Sequence, residues 1–459
     1  MAAFGKKKKA SEFPDVIPVS EAIRKGDIFT KLTCLIMGAG NLARKQIIQG
    51  LLFLTGELAY ILYMVFYGAK ALQNFVTLGT ETQKKVFNEA TQVYEYATGD
   101  NSQLCLLYGV VTFFVTIGFI LLWRAAIRSS YIAQKAQEAG KKPITFGQIL
   151  KDLKDNRMYQ LFLLFPFLGI ILFTVMPLVF MILMAFTNYD RDHLPPGKLF
   201  DWVGFQNFAR VLNAGGALGE TFWRVLGWTI IWAIFATFLN YIFGIILAII
   251  INRDGTKFKA FWRFIFVLTI AVPQFVSLLV VNTMIQEHGV INLLLKELFG
   301  VGPLPFLTNV TWARVTVIVI NLWVGIPYTL LAVTGILKNI PAELYEAARV
   351  DGANAFVTFF KITMPYIIFV LTPYLITTFT GNVNNFNVIY LLSGGDPTPL
   401  GDSAGSTDLL ITWLYKLTVD KQDYNLGAVI GIMTFVVLAI VSLITYRNSG
   451  SYKNEEAFR

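Results

Sequence analysis

Charged side chains are scarce in this chain, and their scarcity limits what the chain can be. Asp, Glu, Lys and Arg make up 15% of the 459 residues, whereas a soluble domain typically carries about 25%. The hydrophobic fraction is 55%. So few charges cannot cover a water-facing surface of this size, and the composition therefore predicts an integral membrane protein.

Cysteine and histidine are also nearly absent. The two histidines, His193 and His288, lie far apart in the sequence and give no metal-ligand pattern, so we expect no metal site. The two cysteines are Cys34 and Cys105. The topology derived below puts the first in the cytoplasm and the second at the start of a membrane span. We therefore expect no disulfide bond.

The basic residues are not gathered on one face. The net charge is +9, but Lys and Arg are scattered between apolar segments. This distribution argues against a nucleic-acid partner and fits contact with anionic lipid headgroups. The run Lys6–Lys9 is not followed by an apolar segment before residue 32, and no cleavage site is visible. We expect a retained cytoplasmic tail rather than a signal peptide.

Long apolar segments are what the chain has instead of charge. A helix that crosses a bilayer needs about 20 mostly apolar residues. Eight segments qualify, and they predict an all-α integral membrane protein with eight transmembrane helices. The segments are 50–69, 105–123, 161–186, 226–251, 264–286, 315–337, 366–392 and 427–446. The first is the weakest, because it contains Glu57.

The distribution of Lys and Arg orients these spans. The two tails and the alternate loops on their side hold 27 basic residues, whereas the four opposite loops hold 11. The positive-inside rule then places both termini in the cytoplasm. The predicted organisation is a tail (1–49), a pair of spans (50–123), a cytoplasmic linker (124–160), a six-span block (161–446) and a second tail (447–459).

The cytoplasmic loop 338–365 carries a composite motif. It contains Glu346-Ala347-Ala348, then Gly352, then Ile-x-x-Pro ending at Pro365. A helix is predicted after Pro341 and ends at Asp351-Gly352, because glycine tolerates a left-handed cap. A second short helix, from Asn354 to Phe360, is predicted to stop before Pro365. The alternative is an ordinary amphipathic helix at the membrane surface.

The last six spans contain no Asp, Glu, Lys, Arg or His. This absence argues against a carrier driven by protons or sodium, and against a charged substrate. Span 366–392 instead holds four asparagines, at 382, 384, 385 and 387. We expect Gly381 to let the backbone open nearby. Amides both donate and accept hydrogen bonds, as an array of sugar hydroxyls requires.

Some of these asparagines have a simpler interpretation, since amides also hold helices together as polar contacts within the bilayer. We favour that interpretation for Asn384 and Asn387. Elsewhere, Pro327 is predicted to kink its span, and Trp323 or Tyr328 is placed to stack on a sugar ring. Span 264–286 adds Pro273 and Gln274.

These motifs resemble those of the larger transmembrane subunit of maltose/maltodextrin-type ABC importers, the MalF-like permeases. The likeness covers residues 160–450. It is carried by the loop 338–365, Asn321–Tyr328, Asn384–Phe386, Leu392–Gly395 and Thr407–Leu410. It implies that the last six spans form an ABC type-1 importer permease core. It also implies that Gln274, Asn321, Val324, Gly325, Tyr328, Thr378, Asn382 and Asn385 contact the sugar, and that Glu346, Ala347, Ala348, Gly352 and Pro365 belong to the coupling (EAA) loop.

The resemblance implies the partners as well. They are a second homologous permease subunit, two subunits that bind ATP and Mg, an oligosaccharide and membrane lipid; this chain is expected to have no catalytic residue and no cofactor. Loop 187–225 is short, which implies an extracellular sugar-binding lipoprotein of a Gram-positive bacterium. The best-known family member has aromatic residues where Gly381 and Ile270 stand and Ser at Gln274, which implies a differently shaped pocket.

Three alternatives stay open. The first is the same architecture with another substrate: a galacto-oligosaccharide, a raffinose-type sugar or, less favoured by the neutral spans, glycerol phosphate. The second is a membrane glycosyltransferase, which needs acidic residues in suitable company at the membrane edge, and none is evident. The third is an ion-coupled secondary transporter, for which loop 338–365 has no role.

Overall fold

A computed structural model describes residues 17–253 and 255–448. Long helices dominate these residues, as the apolar segments predict. Seven helical runs are long and apolar enough to cross a bilayer: Ile47–Thr77, Ser102–Glu138, Met158–Met184, Ala217–Asn252, Val310–Asn339, Ala355–Leu392 and Tyr424–Arg447. The bent pair Lys259–Ala271 and Gln274–Met284 makes eight if it counts as one span.

The chain divides into two compact units. In the described residues, the first extends to Leu183 and includes Asp192–Trp202. Its helices are α1 (Val19–Lys25), α2 (Ile28–Leu32), α3 (Ala39–Ala43), α4 (Ile47–Tyr63), α5 (Ala69–Thr77), α6 (Ser102–Glu138), α7 (Phe146–Asp155), α8 (Met158–Ile170) and α9 (Met176–Met184). Wider π-helical turns at Met64–Gly68 and Ile171–Val175 join α4 to α5 and α8 to α9.

A short β-hairpin departs from the all-helical expectation. Strands β1 (Lys85–Asn88) and β2 (Val93–Tyr96) pair antiparallel in the connection between α5 and α6. Their aromatic and β-branched residues favour extended backbone. Phe87 and Tyr94 face each other across the pair, with ring centroids 5.1 Å apart.

A buried polar cluster fastens the segment before α4 onto α6. The Arg44 guanidinium, 3% exposed, donates to both carboxylate oxygens of Asp27 at 2.6 and 2.7 Å and to Ser130 Oγ at 3.0 Å. Gln134 Oε1 accepts from the Thr30 hydroxyl at 2.9 Å. Such a network is stabilising only when its charges are paired, as they are here.

Helix α6 continues well past residue 123, where its span was predicted to end. The extension holds no proline or glycine and buries Ala126, Ile127 and Tyr131. Helix α7 then follows, opened by a capping box of Thr145 and Gln148. The expected polar linker 124–160 is therefore mostly helical.

The second unit comprises Met184–Arg191 and the described residues from Val203 onward. Its helices are α10 (Gln206–Leu212), α11 (Ala217–Asn252), α12 (Lys259–Ala271), α13 (Gln274–Met284), α14 (Val290–Phe299), α15 (Val310–Asn339), α16 (Ala342–Val350), α17 (Ala355–Thr358), α18 (Met364–Val383), α19 (Phe386–Leu392), α20 (Leu410–Tyr415) and α21 (Tyr424–Asn448). Wider π-helical turns lie at Phe359–Thr363 and Lys416–Asp420.

Helices α11 and α15 approach closely because each carries a glycine beneath a side chain of the other. The Asn240 amide lies directly on Gly325, and Thr329 lies on Gly244. A Cβ added at Gly244 would come within 2.6 Å of the Thr329 Cβ. Real Cβ atoms do not approach so closely in a close-packed interior, so both glycines are needed for this spacing.

Candidate functional site

The break at Pro273 corrects the expectation of one helix over 264–286. Helix α12 ends at Ala271, Val272 is extended (φ −80°, ψ 127°), and α13 begins at Gln274 after a bend of 90°. Proline has no N–H to donate, and it disfavours helical backbone in the residue before it. The break therefore places the Gln274 side chain at the start of a new helix.

A cavity of about 140 Å³ lies against this break. Its wall includes Ile270, Gln274, Ser277, Trp323, Val324 and Tyr328. The two aromatic side chains are 44% and 51% exposed. Amphipathic rings together with a few polar groups are typical of small-molecule sites. The cavity brings together three of the residues that the resemblance implies, Gln274, Val324 and Tyr328.

A second helix break lies at Asn384 and Asn385, and not at Gly381, where the backbone was expected to open. The helix leaves its regular path at Asn384 and Asn385, between α18 and α19, whereas Gly381 stays within α18. The Asn385 side chain caps α19 by accepting from Val388 N–H at 3.2 Å. Two residues further on, in α19, Asn387 Nδ2 donates to Gln274 Oε1 at 3.3 Å. The two breaks are thus joined by an amide pair.

Three other implied sugar residues do not face the cavity. Asn321 is 3% exposed, and Gly325 lies beneath Asn240. Asn382 donates to Thr237 Oγ1 at 3.0 Å, and its carbonyl accepts from Trp232 Nε1 at 3.0 Å.

Gly325 and Asn382 are thus covered by side chains of α11. Thr378, the remaining implied residue, is half-buried on α18. The sequence prediction missed the contribution of Asn240 and Thr237. The signal was available, because Asn240 is the one asparagine in the apolar segment 226–251.

Loop 338–365 contains α16, and the way this helix ends explains Gly352. The N–H of Gly352 donates to Arg349 O at 3.1 Å, and the N–H of Ala353 donates to Ala348 O at 2.9 Å. This is a Schellman cap, which needs a left-handed residue at the position of Gly352. Its φ is +74°, so the predicted helix end is found in the structure.

The surface of this loop is rich in exposed apolar groups. Val350 is 87% exposed and Phe356 is 70% exposed. Glu346 and Ala347 are also exposed, whereas Ala348 is buried at 8%. Only the first of the two alanines is therefore accessible to a partner. Exposed apolar patches rimmed by polar residues are typical of protein interaction sites.

The second helix of the loop does not stop before Pro365, contrary to the prediction. Helix α17 passes through the π-helical turn into α18, and the N–H of Met364 donates to Phe359 O. The Tyr345 hydroxyl lies 3.1 Å from Thr363 Oγ1 and ties α16 to this turn. The loop is thus linked to α18 both along the chain and through a side-chain contact.

The connection between α19 and α20 holds two of the motifs that carry the resemblance. The Ser393 and Thr407 hydroxyls lie 2.9 Å apart, and Thr407 N–H donates to Gly395 O. Nearby, burial raises the pKa of Asp408, although Lys416 Nζ at 2.6 Å opposes the shift. Among the described residues, no group of three His, Cys, Asp or Glu side chains is placed to hold a metal ion.

Comparison with known sequences gives matches along nearly the whole chain. Residues 240–450 match the family model described as the binding-protein-dependent transport system inner membrane component. The chain is 36% identical to the galactooligosaccharides transport system permease protein GanP of Bacillus subtilis, across 92% of this chain and 98% of that protein. It is 35% identical to the maltodextrin transport system permease protein MdxF of the same species, across 93% of this chain and 96% of that protein.

A solved structure shares the fold. It is a bacterial ABC transporter involved in the import of the acidic polysaccharide alginate, and its matching chain gives a TM-score of 0.55 at 24% identity. The alignment covers 65% of this chain and 97% of that chain. At this identity the likeness concerns the fold alone.

Proposed function

This chain belongs to the family of binding-protein-dependent permeases, the membrane components of ABC importers, and we propose that it carries maltodextrin-type oligosaccharides across a bacterial cell membrane. The observation that carries the proposal is the cavity at the Pro273 break, where aromatic rings meet an amide. The end-to-end similarity to a maltodextrin permease supports it. The chain is a transporter subunit and not an enzyme.

The chemistry of the cavity suits a neutral sugar. Trp323 and Tyr328 offer faces on which a pyranose ring can stack, and Gln274 offers an amide that donates and accepts hydrogen bonds. No charged side chain lies in the apolar segments around them. A charged substrate would lack a counter-charge there, so the site favours neutral oligosaccharides.

The coupling loop is the proposed contact with one of the two ATP-binding subunits of the importer, which hold ATP and Mg. In this proposal Glu346, Ala347 and the exposed Val350 and Phe356 form the docking surface. Gly352 and Ala348 take part in the cap that ends α16. Pro365 lies at the start of α18, where the loop joins that helix. ATP binding and hydrolysis then move the loop, and the movement passes along α18 toward the sugar.

The remaining partners follow from the same proposal. A second permease subunit completes the pore, and a tethered sugar-binding lipoprotein of a Gram-positive cell delivers the oligosaccharide from outside. Both termini lie in the cytoplasm, since the basic residues favour that side. In the proposed organisation, the span pair 50–123 is followed by the linker 124–160 and a permease domain over 161–446.

Uptake by cells tests the substrate. The gene for this chain is deleted in its host, and entry of labelled maltotriose is measured with and without the gene restored on a plasmid. We expect uptake to be lost on deletion and restored with the plasmid. Normal maltotriose uptake in the deletion strain, with no other maltodextrin system present, contradicts the proposal.

A galacto-oligosaccharide is the second candidate, favoured by the 36% identity to a galactooligosaccharides permease. The same two strains separate the candidates when labelled galactotriose replaces maltotriose. Loss of galactotriose uptake alone assigns the chain to the second substrate. Loss of both indicates a permease of broader specificity.

A further inference from the structure

A second, larger cavity lies at the far ends of α13 and α19. The two helices begin at the two breaks, where Asn387 contacts Gln274, and they end at this cavity, where Asn282 Nδ2 donates to Leu392 O at 2.6 Å. The loops that follow both helices lie opposite the termini in the proposed topology, so we call this space the outer cavity. Helix α13 has 11 residues and is therefore about 15 Å long. Most of this length separates the outer cavity from the cavity at Pro273.

The outer cavity has a volume of about 640 Å³, which is within the range of small-molecule sites. The cavity at Pro273, at about 140 Å³, is below that range and encloses only part of an oligosaccharide. The lining of the outer cavity combines hydrogen-bonding side chains with an aromatic ring: Asn282, Gln286, Thr308, Tyr390, Asp396 and Thr398. Asp396 alone among the described lining residues carries a charge. Amides, hydroxyls and one carboxylate together suit the hydroxyl groups of a neutral sugar, which both donate and accept.

One wall of the outer cavity is fixed by a buried amide. Asn292, which is 3% exposed, donates to Gln286 O at 3.1 Å and to Leu304 O at 3.2 Å, and it accepts from Leu304 N–H at 2.9 Å. These bonds hold the backbone of Gln286. Its side chain lies in the lining, where Nε2 donates to Asn282 Oδ1 at 3.2 Å.

The other wall is fixed in a similar way. Thr407 is buried, and its hydroxyl donates to Asp396 O at 2.8 Å and lies 2.9 Å from the Ser393 hydroxyl. The ring of Tyr390 stacks on Phe386, with centroids 4.7 Å apart. Both walls are therefore held by groups behind the lining, and a site that is ordered in advance loses less entropy when it binds a ligand.

We propose that the outer cavity is a second subsite for the oligosaccharide, which holds one part of a long sugar chain while another part lies in the cavity at Pro273. This inference rests on the proposed function, because it concerns the same substrate. It adds a dependence on length. A short sugar occupies one subsite at a time, whereas a long sugar reaches both and gains affinity from the second contact.

Two sugars of different length test the subsite. The whole importer with its binding protein is placed in vesicles, and uptake of labelled maltose and of labelled maltoheptaose is measured. The double variant Gln286→Ala, Asp396→Asn should raise the KM for maltoheptaose about fivefold, the loss expected for one or two neutral hydrogen bonds. The KM for maltose should not change, because maltose is held at the Pro273 cavity without the outer one.

Glu287 provides the matched control. It follows Gln286 in the chain and is also exposed, but it does not line the outer cavity. Glu287→Ala should leave both KM values unchanged. Equal rises of both KM values in the double variant would mean that this surface contacts the binding protein and not the sugar, and the inference would be wrong.

A labelling experiment tests the same contact without the binding protein. Gln286→Cys and Glu287→Cys are each treated with a maleimide that does not cross membranes, and the labelling of the unaltered chain is subtracted. Maltoheptaose should slow the labelling of Gln286→Cys about twofold at half occupancy and leave that of Glu287→Cys unchanged. No protection of Gln286→Cys contradicts the inference, as does a double variant with both KM values unchanged.

Two further outcomes are also decisive. If the double variant fails to assemble, the labelling decides, because Gln286→Cys keeps the backbone carbonyl that Asn292 binds. If the unaltered importer takes up neither maltose nor maltoheptaose, the proposed substrate is wrong. A short and a long galacto-oligosaccharide, used in the same two measurements, then confirm or contradict the outer subsite.

Discussion

Two prolines in the second unit, Pro273 and Pro365, both lack the N–H that a helical hydrogen bond needs, but the backbone around them differs. At Pro273 the helix ends, the chain turns by 90° and a new helix starts. At Pro365 the helix continues from Ala355 to Val383, because a π-helical turn lies just before the ring. A cavity lies at the Pro273 junction, whereas the helix is continuous through the Pro365 junction.

The residue before each proline differs between the two junctions, but it does not decide the outcome alone, because Ile326-Pro327 and Thr372-Pro373 lie within the continuous helices α15 and α18. Val272 is β-branched, and proline already disfavours helical backbone at that position. Met364 is unbranched and a good helix former. In the first unit Met176 precedes Pro177, and there too a π-helical turn keeps the helix continuous, with Met176 N–H donating to Ile171 O. Both Met-Pro pairs thus accompany a wide turn, whereas a β-branched residue before proline accompanies a break at Pro273 but not at Pro327 or Pro373.

The largest expected effect comes from disrupting the left-handed cap at the end of α16, in loop 338–365. Gly352→Pro should reduce sugar uptake and sugar-stimulated ATP hydrolysis to roughly a twentieth or less, because proline is fixed near φ −65° and cannot adopt a left-handed cap. Uptake in vesicles and the amount of chain in the membrane are measured together.

Gly300 provides the control for that variant. It also caps a helix at positive φ (+65°) with open space around it, but it follows α14 and lies outside the coupling loop. Gly300→Pro should keep most sugar-stimulated ATP hydrolysis. Near-normal uptake in Gly352→Pro removes the coupling role of the loop.

The broken junction should matter for sugar affinity. Tyr328→Ala removes an exposed ring from the cavity wall and should raise the KM for maltotriose about tenfold, equivalent to about 1.4 kcal/mol. Leu331, on the same helix, is comparably exposed at 41% and does not line the cavity, so Leu331→Ala is the control. Equal effects from both variants contradict the assignment of the cavity.

Exchanging the residue before proline tests the comparison itself. Val272→Met gives the first junction the Met-Pro pair found where helices continue, and it should favour a straighter path that displaces Gln274. We expect the KM to rise about fivefold, or about 1 kcal/mol. The change in bend is checked by spin labels placed on α12 and α13. An unchanged bend means that Val272 does not decide the break.

The reverse exchange should have the smallest effect. Met364→Val places a β-branched residue before Pro365. The π-helical turn there is also stabilised by the contact of the Tyr345 hydroxyl with Thr363. We expect the maximal rate of uptake to fall about twofold with no change in KM. A change in KM alone would mean that this junction shapes the sugar site rather than the coupling.

Much of the architecture could be predicted because it depends on local composition. Apolar length identified the spans, and Asp351-Gly352 identified the end of α16. The course of the chain at its prolines was harder, because Pro273 and Pro365 look alike in an apolar segment. The outcome depends on backbone geometry that apolar length does not record, since β-branched residues precede Pro327 and Pro373 without a break.

The orientation of individual polar residues was harder still. Asn321 and Gly325 lie four apart, so helical periodicity puts them on one face. It does not say whether that face meets a substrate or another helix. For Gly325 the answer depends on Asn240, which lies far away in the sequence, on α11, and covers Gly325 because α11 and α15 approach closely.

The buried guanidinium of Arg44 has a practical consequence for engineering the chain. Its counter-ion, Asp27, comes from the segment that a designer would first remove as a dispensable leader. Truncation past Asp27 leaves a desolvated cation without its anion, at a cost on the order of 2–3 kcal/mol. Affinity tags and shortened versions should therefore begin upstream of that carboxylate, and poor expression of versions that begin after it has a physical cause.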